Sequence, residues 1–151
     1  MLSVHLSGGG DMLKAAVNGA GDKLRLLGIS VLTSSSEATL REIGVEAPSV
    51  EAQVSRLARL GWESGFRGVV ASPLETAVLR REFGPEMRIV TPGVRPTAGE
   101  KKSDDQHRVL TPAEAVKVGA DFLVIGRPIT AHPDPREAAR RIVEEISGAL
   151  A

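Results

Sequence analysis

The run Asp121-Phe122-Leu123-Val124-Ile125 is followed at once by Gly126-Arg127-Pro128-Ile129-Thr130. Consecutive apolar residues from Phe122 to Ile125 are typical of a short strand that is buried on both faces of a parallel sheet. The glycine and proline that come next end such a strand. Similar patterns along the chain predict strands at residues 2–6, 26–32, 68–71, 88–91 and 121–125.

Helix start signals separate these strands. Ser72-Pro73-Leu74-Glu75 and Thr111-Pro112-Ala113-Glu114 both match a capping box with proline at the first helical position, and Asp134-Pro135 predicts the start of the last helix. Two helices show an apolar face at three- and four-residue spacing. They are residues 49–63, with Val50, Val54, Leu57 and Leu60, and the last helix, with Ala139, Ile142, Val143 and Ile146.

Alternating strands and helices predict an α/β fold with a parallel sheet, formed as a single domain by residues 1–151. An open doubly wound sheet and a partial (β/α)₈ barrel of about five βα units both fit this pattern. A complete barrel typically needs about 250 residues, and the chain has 151.

Composition excludes several classes of function. The formal net charge is zero, so neither a nucleic-acid nor a membrane-surface partner is expected. The absence of cysteine excludes disulfides and thiolate metal ligands, and we expect no metal site. No apolar run approaches the roughly 20 residues of a membrane span. The first ten residues are unlike a signal peptide, so the cytoplasm is the expected compartment.

Three segments directly after predicted strands carry candidate chemistry, because ligands bind at the carboxyl ends of parallel strands. Thr91-Pro92-Gly93-Val94-Arg95 leads into the polar stretch 96–106, which fits either a lid or a solvated surface loop. Gly126 allows close approach of an anion to the backbone, and Arg127 has a guanidinium fork suited to phosphate. Thr33 is a candidate for a polar ligand, whereas Ser36 is placed to cap a helix.

The histidines are not expected to be catalytic. His5 lies in the first predicted strand, and a core position is the more common role for such a residue. Gly8 to Gly10 lack the spacing of a dinucleotide-binding motif. His107 and His132 show no metal-ligand spacing, so surface positions are expected for both.

Taken in order, these motifs resemble the orotidine 5′-phosphate decarboxylase family. The resemblance rests on five segments: Val4-His5-Leu6-Ser7-Gly8-Gly9, Leu32-Thr33-Ser34, Thr91-Pro92-Gly93-Val94-Arg95, Asp104-Asp105-Gln106-His107-Arg108-Val109 with Thr111-Pro112, and Gly119 to Thr130. It runs along the whole chain but covers only the later part of the family's barrel.

The resemblance implies a fold, an activity and a set of site residues. The family is a dimeric (β/α)₈ barrel that converts orotidine 5′-monophosphate to uridine 5′-monophosphate and carbon dioxide in pyrimidine biosynthesis, without a cofactor. It implies that Thr33 lies beside the nucleotide and that Arg95 belongs to the turn before the phosphate-closing loop. Gln106 would contact the phosphate, and Gly126 and Arg127 would hold it.

One departure from the family bears on activity. The family's alternating Lys and Asp network lies in an Asp-x-Lys-x-x-Asp signature, which none of the five lysines matches: Lys14, Lys23, Lys101, Lys102 and Lys117. No catalytic residue is therefore assigned in this chain. We interpret it as a fragment with the phosphate-binding half of the barrel, and we expect the isolated polypeptide to be inactive.

Two alternative functions stay open. One is a different phosphate-binding barrel enzyme, such as a sugar-phosphate decarboxylase, although Thr91 to Arg95 followed by Asp105-Gln106 argues against it. The other is a non-catalytic half-barrel module for binding or assembly, because five strands without closure leave two edges that invite pairing.

Overall fold

The computed structural model describes residues 1–95 and 110–150. Gln106, His107 and Lys101 lie outside the described residues. Five strands form one sheet: β1 (Leu2–His5), β2 (Leu26–Ile29), β3 (Gly68–Val70), β4 (Arg88–Pro92) and β5 (Phe122–Val124). The helices are α1 (Gly10–Ala20), α2 (Glu37–Glu42), α3 (Val50–Glu63), α4 (Thr76–Phe83), α5 (Pro112–Lys117), α6 (Arg127–Thr130) and α7 (Pro135–Leu150).

The sheet is parallel throughout, and its order follows the chain: β1-β2-β3-β4-β5. A doubly wound sheet reverses its strand order at a switch point, and this sheet does not reverse. Strands in sequential order are the arrangement of a (β/α) barrel wall. The predicted α/β class is therefore confirmed, and of the two architectures left open the sheet has that of a partial barrel.

The main core lies between the sheet and the helices α1 to α4. Leu13 of α1, Val54 of α3 and Leu79 of α4 have no exposed surface, and they belong to one buried cluster with Val69 and Ile89 of the sheet. Helix α3 has the predicted bounds within one residue and the predicted inward face, since Val54 and Leu57 are buried and Val50 and Leu60 pack partly against the cluster.

Leu6 shows how closely the helical layer approaches the sheet. Its side chain is 1% exposed and occupies the space that a Cβ at Gly28 or at Gly61 would need, at 2.5 Å and 2.7 Å from the nearest side-chain atom. Both positions therefore favour glycine, because a methyl group at either one would force the buried Leu6 side chain to shift.

Two expectations about buried apolar residues are wrong. Phe122 and Val124 are 41% and 52% exposed rather than buried on both faces, because β5 is an edge strand within the described sheet. Val143 was expected on the inner face of the last helix and is 60% exposed, whereas Ala138 and Ile142 are buried. The apolar surface near β5 is thus left partly uncovered by the described residues.

Two of the three helix starts agree with the prediction. Thr111 and Glu114 form the reciprocal capping box at α5, and the Asp134 carboxylate accepts a hydrogen bond from the N–H of Glu137 at the start of α7 (3.0 Å). The predicted box at Ser72 is wrong. Residues 72–75 form a turn, and α4 begins at Thr76 without a side-chain cap.

Candidate functional site

Because the strands are parallel, their carboxyl ends lie along one edge of the sheet, and the loops that follow share it. A cavity of about 130 Å³ opens at this edge, at the ends of the three inner strands. It is lined by Ile29, Val31, Leu32, Thr33, Ser34, Val70, Ala71 and Pro92. Thr33 and the proline of the Thr91 to Arg95 segment therefore share one cavity, whose lining is mostly apolar and includes the two hydroxyl residues Thr33 and Ser34.

A larger open depression of about 420 Å³ lies elsewhere, lined by Arg41, Glu46, Ala47 and Pro48. Its lining residues belong to α2 and the segment before α3, and none of them follows a strand. Ligands of parallel α/β folds bind at strand carboxyl ends. The smaller cavity is therefore the candidate site.

The turn after β4 has the geometry that its sequence requires. Gly93 adopts φ +78°, in the left-handed region where glycine carries no steric penalty. Val94 is 2% exposed and pairs in a bridge with Leu110, and the N–H of Arg95 donates to the Leu110 carbonyl at 3.0 Å. Arg95 is half-buried and engaged in a further interaction. This turn directs the chain out of β4 along the candidate edge.

The turn after β5 forms a second part of the edge. Gly126 precedes α6, and its carbonyl accepts hydrogen bonds from the N–H groups of Ile129 (2.9 Å) and Thr130 (3.0 Å). A Cβ at Gly126 would meet no atom within 4 Å among the described residues, so the backbone there faces open space. Arg127 is exposed and engaged in an interaction.

Four of the five predicted site residues can thus be placed. Thr33 follows β2, Arg95 follows β4, and Gly126 and Arg127 follow β5, all at the same edge of the sheet. Thr33 alone of these four lines the described cavity. Ser36 caps α2 as expected, since its side chain accepts a hydrogen bond from the N–H of Thr39. The fifth residue, Gln106, lies outside the described residues.

One histidine expectation needs a correction. His5 is exposed rather than a core residue, because β1 is an edge strand, and Val4 of β1 and Leu6 directly after it belong to the helical core instead. His132 lies in the loop before α7 and is partly exposed, as expected of a surface position, and its Nδ1 accepts a hydrogen bond from the N–H of Asp134 (3.0 Å).

Sequence reasoning missed a group of buried polar residues behind the candidate edge. Glu75 is 4% exposed, and Ser72, Thr76 and Thr91 have no exposed surface. The Thr76 hydroxyl donates to the Ser72 carbonyl at 3.3 Å and lies 3.5 Å from the Thr91 hydroxyl. These contacts join the turn after β3 to the end of β4. The only local signal for this group is the Ser-Pro-Leu-Glu pattern, which predicts a helix cap rather than a buried polar turn.

An ion cluster that the sequence analysis also missed lies at the amino ends of β4 and β5, away from the candidate site. One guanidinium nitrogen of Arg80 lies 2.5 Å from a carboxylate oxygen of Asp121, and the same nitrogen donates to the Gly119 carbonyl at 2.8 Å. Arg88 donates to the other carboxylate oxygen at 3.1 Å, and the N–H of Ile89 donates to Asp121 at 2.7 Å.

This cluster sets the ionisation of Asp121. Partial burial raises the pKa of its carboxyl group, but the hydrogen bonds from the Ile89 N–H, Arg80 and Arg88 together outweigh burial and hold the pKa below its ordinary value of 3.8. Asp121 lies before β5, at the amino end of the strand. It is therefore a structural anion in this fold and not part of the candidate site.

Residues 1–95 and 110–150 contain no group of three or more His, Cys, Asp or Glu side chains arranged to hold a metal ion. Of the helices in the described part of the chain, none is long and apolar enough to cross a membrane. The candidate site is thus described by hydroxyl groups, backbone amides and two arginines.

A parallel sheet in sequential order, with its candidate residues in the loops at the strand carboxyl ends, defines a (β/α)-barrel protein. The chain matches the Orotidine 5′-phosphate decarboxylase / HUMPS family over residues 1–142. The chain belongs to this family, as the motifs indicated.

Curated relatives and a solved structure agree with this assignment. An orotidine 5′-phosphate decarboxylase of Syntrophotalea carbinolica is 51% identical over 99% of this chain and 64% of its own length. One from Trichlorobacter lovleyi is 49% identical over 97% of this chain and 62% of its own. The crystal structure of the Lactobacillus acidophilus decarboxylase is 34% identical, has a TM-score of 0.79 and is matched over 95% of this chain and 62% of its own. The chain therefore spans slightly less than two thirds of the length of these proteins.

Proposed function

We propose that the chain provides the phosphate-binding half of an orotidine 5′-phosphate decarboxylase. The observation that carries the proposal is sequence identity: relatives that are 49–51% identical over 97–99% of the chain bear that name. In this proposal the ligand is orotidine or uridine 5′-monophosphate, bound in the cavity beside Thr33. The enzyme of which it forms part would work in pyrimidine biosynthesis, as a homodimer and without a cofactor.

Residues from different loops of the candidate edge would each make different contacts with the phosphate group. A phosphate monoester carries about two negative charges and several acceptor oxygens, so its partners are backbone N–H groups and guanidinium groups. Gly126 has no side chain, and its backbone faces open space. Arg127 follows it directly. Arg95, and by resemblance Gln106, would complete the contacts from the β4 side.

The chemistry of decarboxylation requires groups that these residues do not supply. Loss of carbon dioxide leaves an electron pair on the pyrimidine carbon, which a nearby acid must stabilise and protonate. A guanidinium holds its proton too tightly for that role. None of the five lysines lies in an Asp-x-Lys-x-x-Asp setting. Phosphate binding without that network stabilises ground state and transition state alike and lowers no chemical barrier.

Two measurements on the purified 151-residue polypeptide test the proposal. Uridine 5′-monophosphate should raise its thermal unfolding midpoint, whereas a pentulose phosphate should not, and orotidine 5′-monophosphate absorbance should stay at the uncatalysed rate. Arg127→Ala should weaken nucleotide binding by about tenfold, since a bidentate charged contact is lost. Arg59→Ala is the matched control, because Arg59 pairs with Glu82 between α3 and α4.

Three results contradict this assignment. Equal protection by the pentulose phosphate would favour another phosphate-binding barrel enzyme. Equal losses in the two arginine variants would remove Arg127 from the site. Turnover by the polypeptide alone would mean that one of its own lysines does the chemistry. If no phosphate ester changes the midpoint at all, the remaining function is the non-catalytic half-barrel module for binding or assembly.

A further inference from the structure

Side-chain hydroxyl groups join the turn after β3 to the end of β4, just behind the candidate cavity. Backbone pairing between the two strands reaches the N–H of Ala71, which donates to the Val90 carbonyl at 3.1 Å. Beyond that point the join is continued by Ser72, Thr76 and Thr91, whose contacts measure 3.3 Å and 3.5 Å. None of these three residues has any exposed surface, so a lost contact is not replaced by one to bulk water.

These contacts have one direction, because each hydroxyl group has a single proton to donate. The Thr76 hydroxyl donates to the Ser72 carbonyl. The Thr91 hydroxyl must therefore be the donor to the Thr76 oxygen. The Ser72 carbonyl also accepts from the N–H of Glu75 at 3.1 Å, so both of its lone pairs are used. Thr76, the first residue of α4, is thus the central member of a series that links β4 to the turn after β3.

The two ends of this series lie beside residues that line the cavity. Ala71 directly precedes Ser72, and Pro92 directly follows Thr91. Neighbouring Cα atoms are about 3.8 Å apart along a chain, so a displacement of Ser72 or Thr91 reaches a lining residue across one peptide bond. Pro92 has no N–H with which to extend the backbone pairing. The separation of the two lining residues therefore depends on the contacts of Thr76.

We infer that Thr76 is a positioning residue of the candidate site. Through Thr91 and Ser72 it holds Pro92 and Ala71 at the separation at which the cavity receives its ligand, and a preformed cavity binds more tightly because less order is lost on binding. Thr76 is not among the residues that line the cavity, and it lies outside the segments that carry the family resemblance. The inference rests on the proposed function, from which it takes a pyrimidine nucleotide as the ligand.

A purely structural role for Thr76 predicts a different result. Loss of a buried hydrogen bond lowers the free energy of unfolding whether or not the cavity changes. Ser64 is the matched control, since it is 7% exposed and its hydroxyl donates to the Leu60 carbonyl at 2.7 Å. It lies at the end of α3, before β3 begins, and therefore away from the strand carboxyl ends.

Calorimetry with uridine 5′-monophosphate on the 151-residue chain tests the inference. Thr76→Val keeps the shape of the side chain but can neither donate nor accept, and we expect it to weaken binding about tenfold. Thr76→Ser keeps the hydroxyl group and should bind within about twofold of the wild type. Ser64→Ala should lower the urea midpoint, because it also loses a buried hydrogen bond, and yet bind within about twofold of the wild type.

Thr91→Val is a milder second variant. It removes the donor to Thr76 but leaves the bond from Thr76 to Ser72, so we expect binding to weaken only about threefold. The double variant Thr76→Val/Thr91→Val should bind no more weakly than Thr76→Val alone, because the contact of Thr91 is already lost there. The fluorescence of Trp62 checks folding. If Thr76→Val does not fold, Thr91→Val and Thr91→Ser allow the same comparison.

Hydrogen exchange gives a readout that does not depend on the ligand. The N–H groups of Ala71 and Glu75 lie at the carboxyl end of β3 and in the turn after it, whereas the N–H of Arg88 donates to the Arg67 carbonyl at 2.9 Å at the amino end of the same strand pair. Thr76→Val should speed exchange at Ala71 and Glu75 about tenfold and leave Arg88 within about twofold. Thr76→Ser should restore slow exchange.

Nucleotide affinity and exchange together separate this inference from the proposed function. Nucleotide binding that Thr76→Val leaves unchanged, or weakens no more than Ser64→Ala does, would support the function and contradict the inference. Failure of Thr76→Ser to restore binding would also contradict it. If the wild type binds no nucleotide, the proposed function fails. Faster exchange confined to Ala71 and Glu75 would then still support the positioning of this edge by Thr76, and unchanged exchange would overturn it.

Discussion

The two ends of β4 and β5 are built in different ways. At the amino end, Arg80, Arg88 and Asp121 form a closed ion cluster with backbone carbonyls and the Ile89 N–H. At the carboxyl end, Gly93 turns the chain at φ +78° and Gly126 leaves the backbone facing open space among the described residues. For β5, both ends lie within the single run from Gly119 to Thr130.

This difference separates residues that hold the barrel wall from residues that can meet a ligand. A barrel of this class places chemistry at the carboxyl face and stability at the amino face. Asp121 belongs to the motif that carries the family resemblance. Its carboxylate, however, already accepts hydrogen bonds from Arg80, Arg88 and the N–H of Ile89. Replacing residues at the amino end should therefore affect folding far more than ligand binding.

The largest effect is expected for Arg80→Ala. Within the described residues Arg80 donates five hydrogen bonds, to the carbonyls of Gly84, Met87 and Gly119 and to Asp121. Its removal leaves a partly buried carboxylate short of its main cation, which costs about 3 kcal/mol of unfolding free energy. Urea unfolding followed by Trp62 fluorescence measures the loss, because the Trp62 ring lies in a tilted contact with the ring of Phe83 of α4, with the centroids 5.6 Å apart.

Arg140→Ala is the control for this prediction. Arg140 also makes ion pairs, with Glu137 and Glu144, but its side chain is 59% exposed and the pairs lie on the surface of α7. Exposed ion pairs contribute little to stability. Similar shifts of the urea midpoint for the two arginine variants would contradict the role assigned to the amino-end cluster.

A second, smaller effect is expected for Asp121→Asn, and it depends on pH. Because the pKa of Asp121 is lowered in the folded state, ionised Asp121 stabilises the fold above its ordinary pKa of 3.8. We expect Asp121→Asn to cost about 2 kcal/mol at pH 7. As pH falls from 3.8 through the lowered pKa, the wild type loses this contribution and the gap between the two proteins should close.

Urea midpoints from pH 7 to pH 3 measure that gap. In an Arg80→Ala background the same Asn substitution should cost less, since the two side chains contact each other and their effects are not additive. A gap that is constant across this pH range would show that the charge of Asp121 is not what stabilises the folded state.

Much of the fold was accessible from the sequence because its local signals and tertiary packing agree. All five strands occur where their apolar runs predict them, although β2 ends at Ile29 rather than at residue 32. Beyond Ile29 the chain still follows β3, with the Ser30 hydroxyl donating to the Val70 carbonyl at 2.7 Å, but it bends toward the cavity. Strand identity was therefore predictable, and the point at which the site begins was not.

Two segments of the same pattern show where local reasoning fails. Thr111-Pro112-Ala113-Glu114 forms a capping box with Glu114 exposed to solvent, whereas Ser72-Pro73-Leu74-Glu75 forms a turn with Glu75 buried. In the turn the Ser72 hydroxyl accepts from the N–H of Leu74 at 3.3 Å instead of from a residue three positions on. Burial of Glu75 behind the end of β4 decides the conformation, and no local pattern reports it.

The candidate site was predicted by the same logic, and in part by resemblance. Parallel strands bring their following loops to one edge, so Thr33, Arg95, Gly126 and Arg127 could be assigned to that edge from strand order alone. The ion cluster of Arg80 and Asp121 joins residues 41 positions apart. Such a pair leaves no periodic signal in a single sequence, and only the folded helix α4 brings it together.

The smallest of these effects is expected at the carboxyl end, for Thr111→Ala. The Thr111 hydroxyl accepts from the N–H of Glu114 at 3.2 Å, and the Glu114 carboxylate accepts from the N–H of Thr111 at 2.9 Å. Removal of the hydroxyl leaves one helix N–H of α5 without its cap and costs about 1 kcal/mol. Thr111→Ser keeps an equivalent hydroxyl group and should restore the urea midpoint. A loss as large as that of Arg80→Ala would mean that the carboxyl end also holds the barrel wall together. If Thr111→Ser and Thr111→Ala lose stability equally, the methyl group of Thr111 rather than its hydroxyl group makes the contribution. The capping box would then add nothing measurable to the free energy of unfolding.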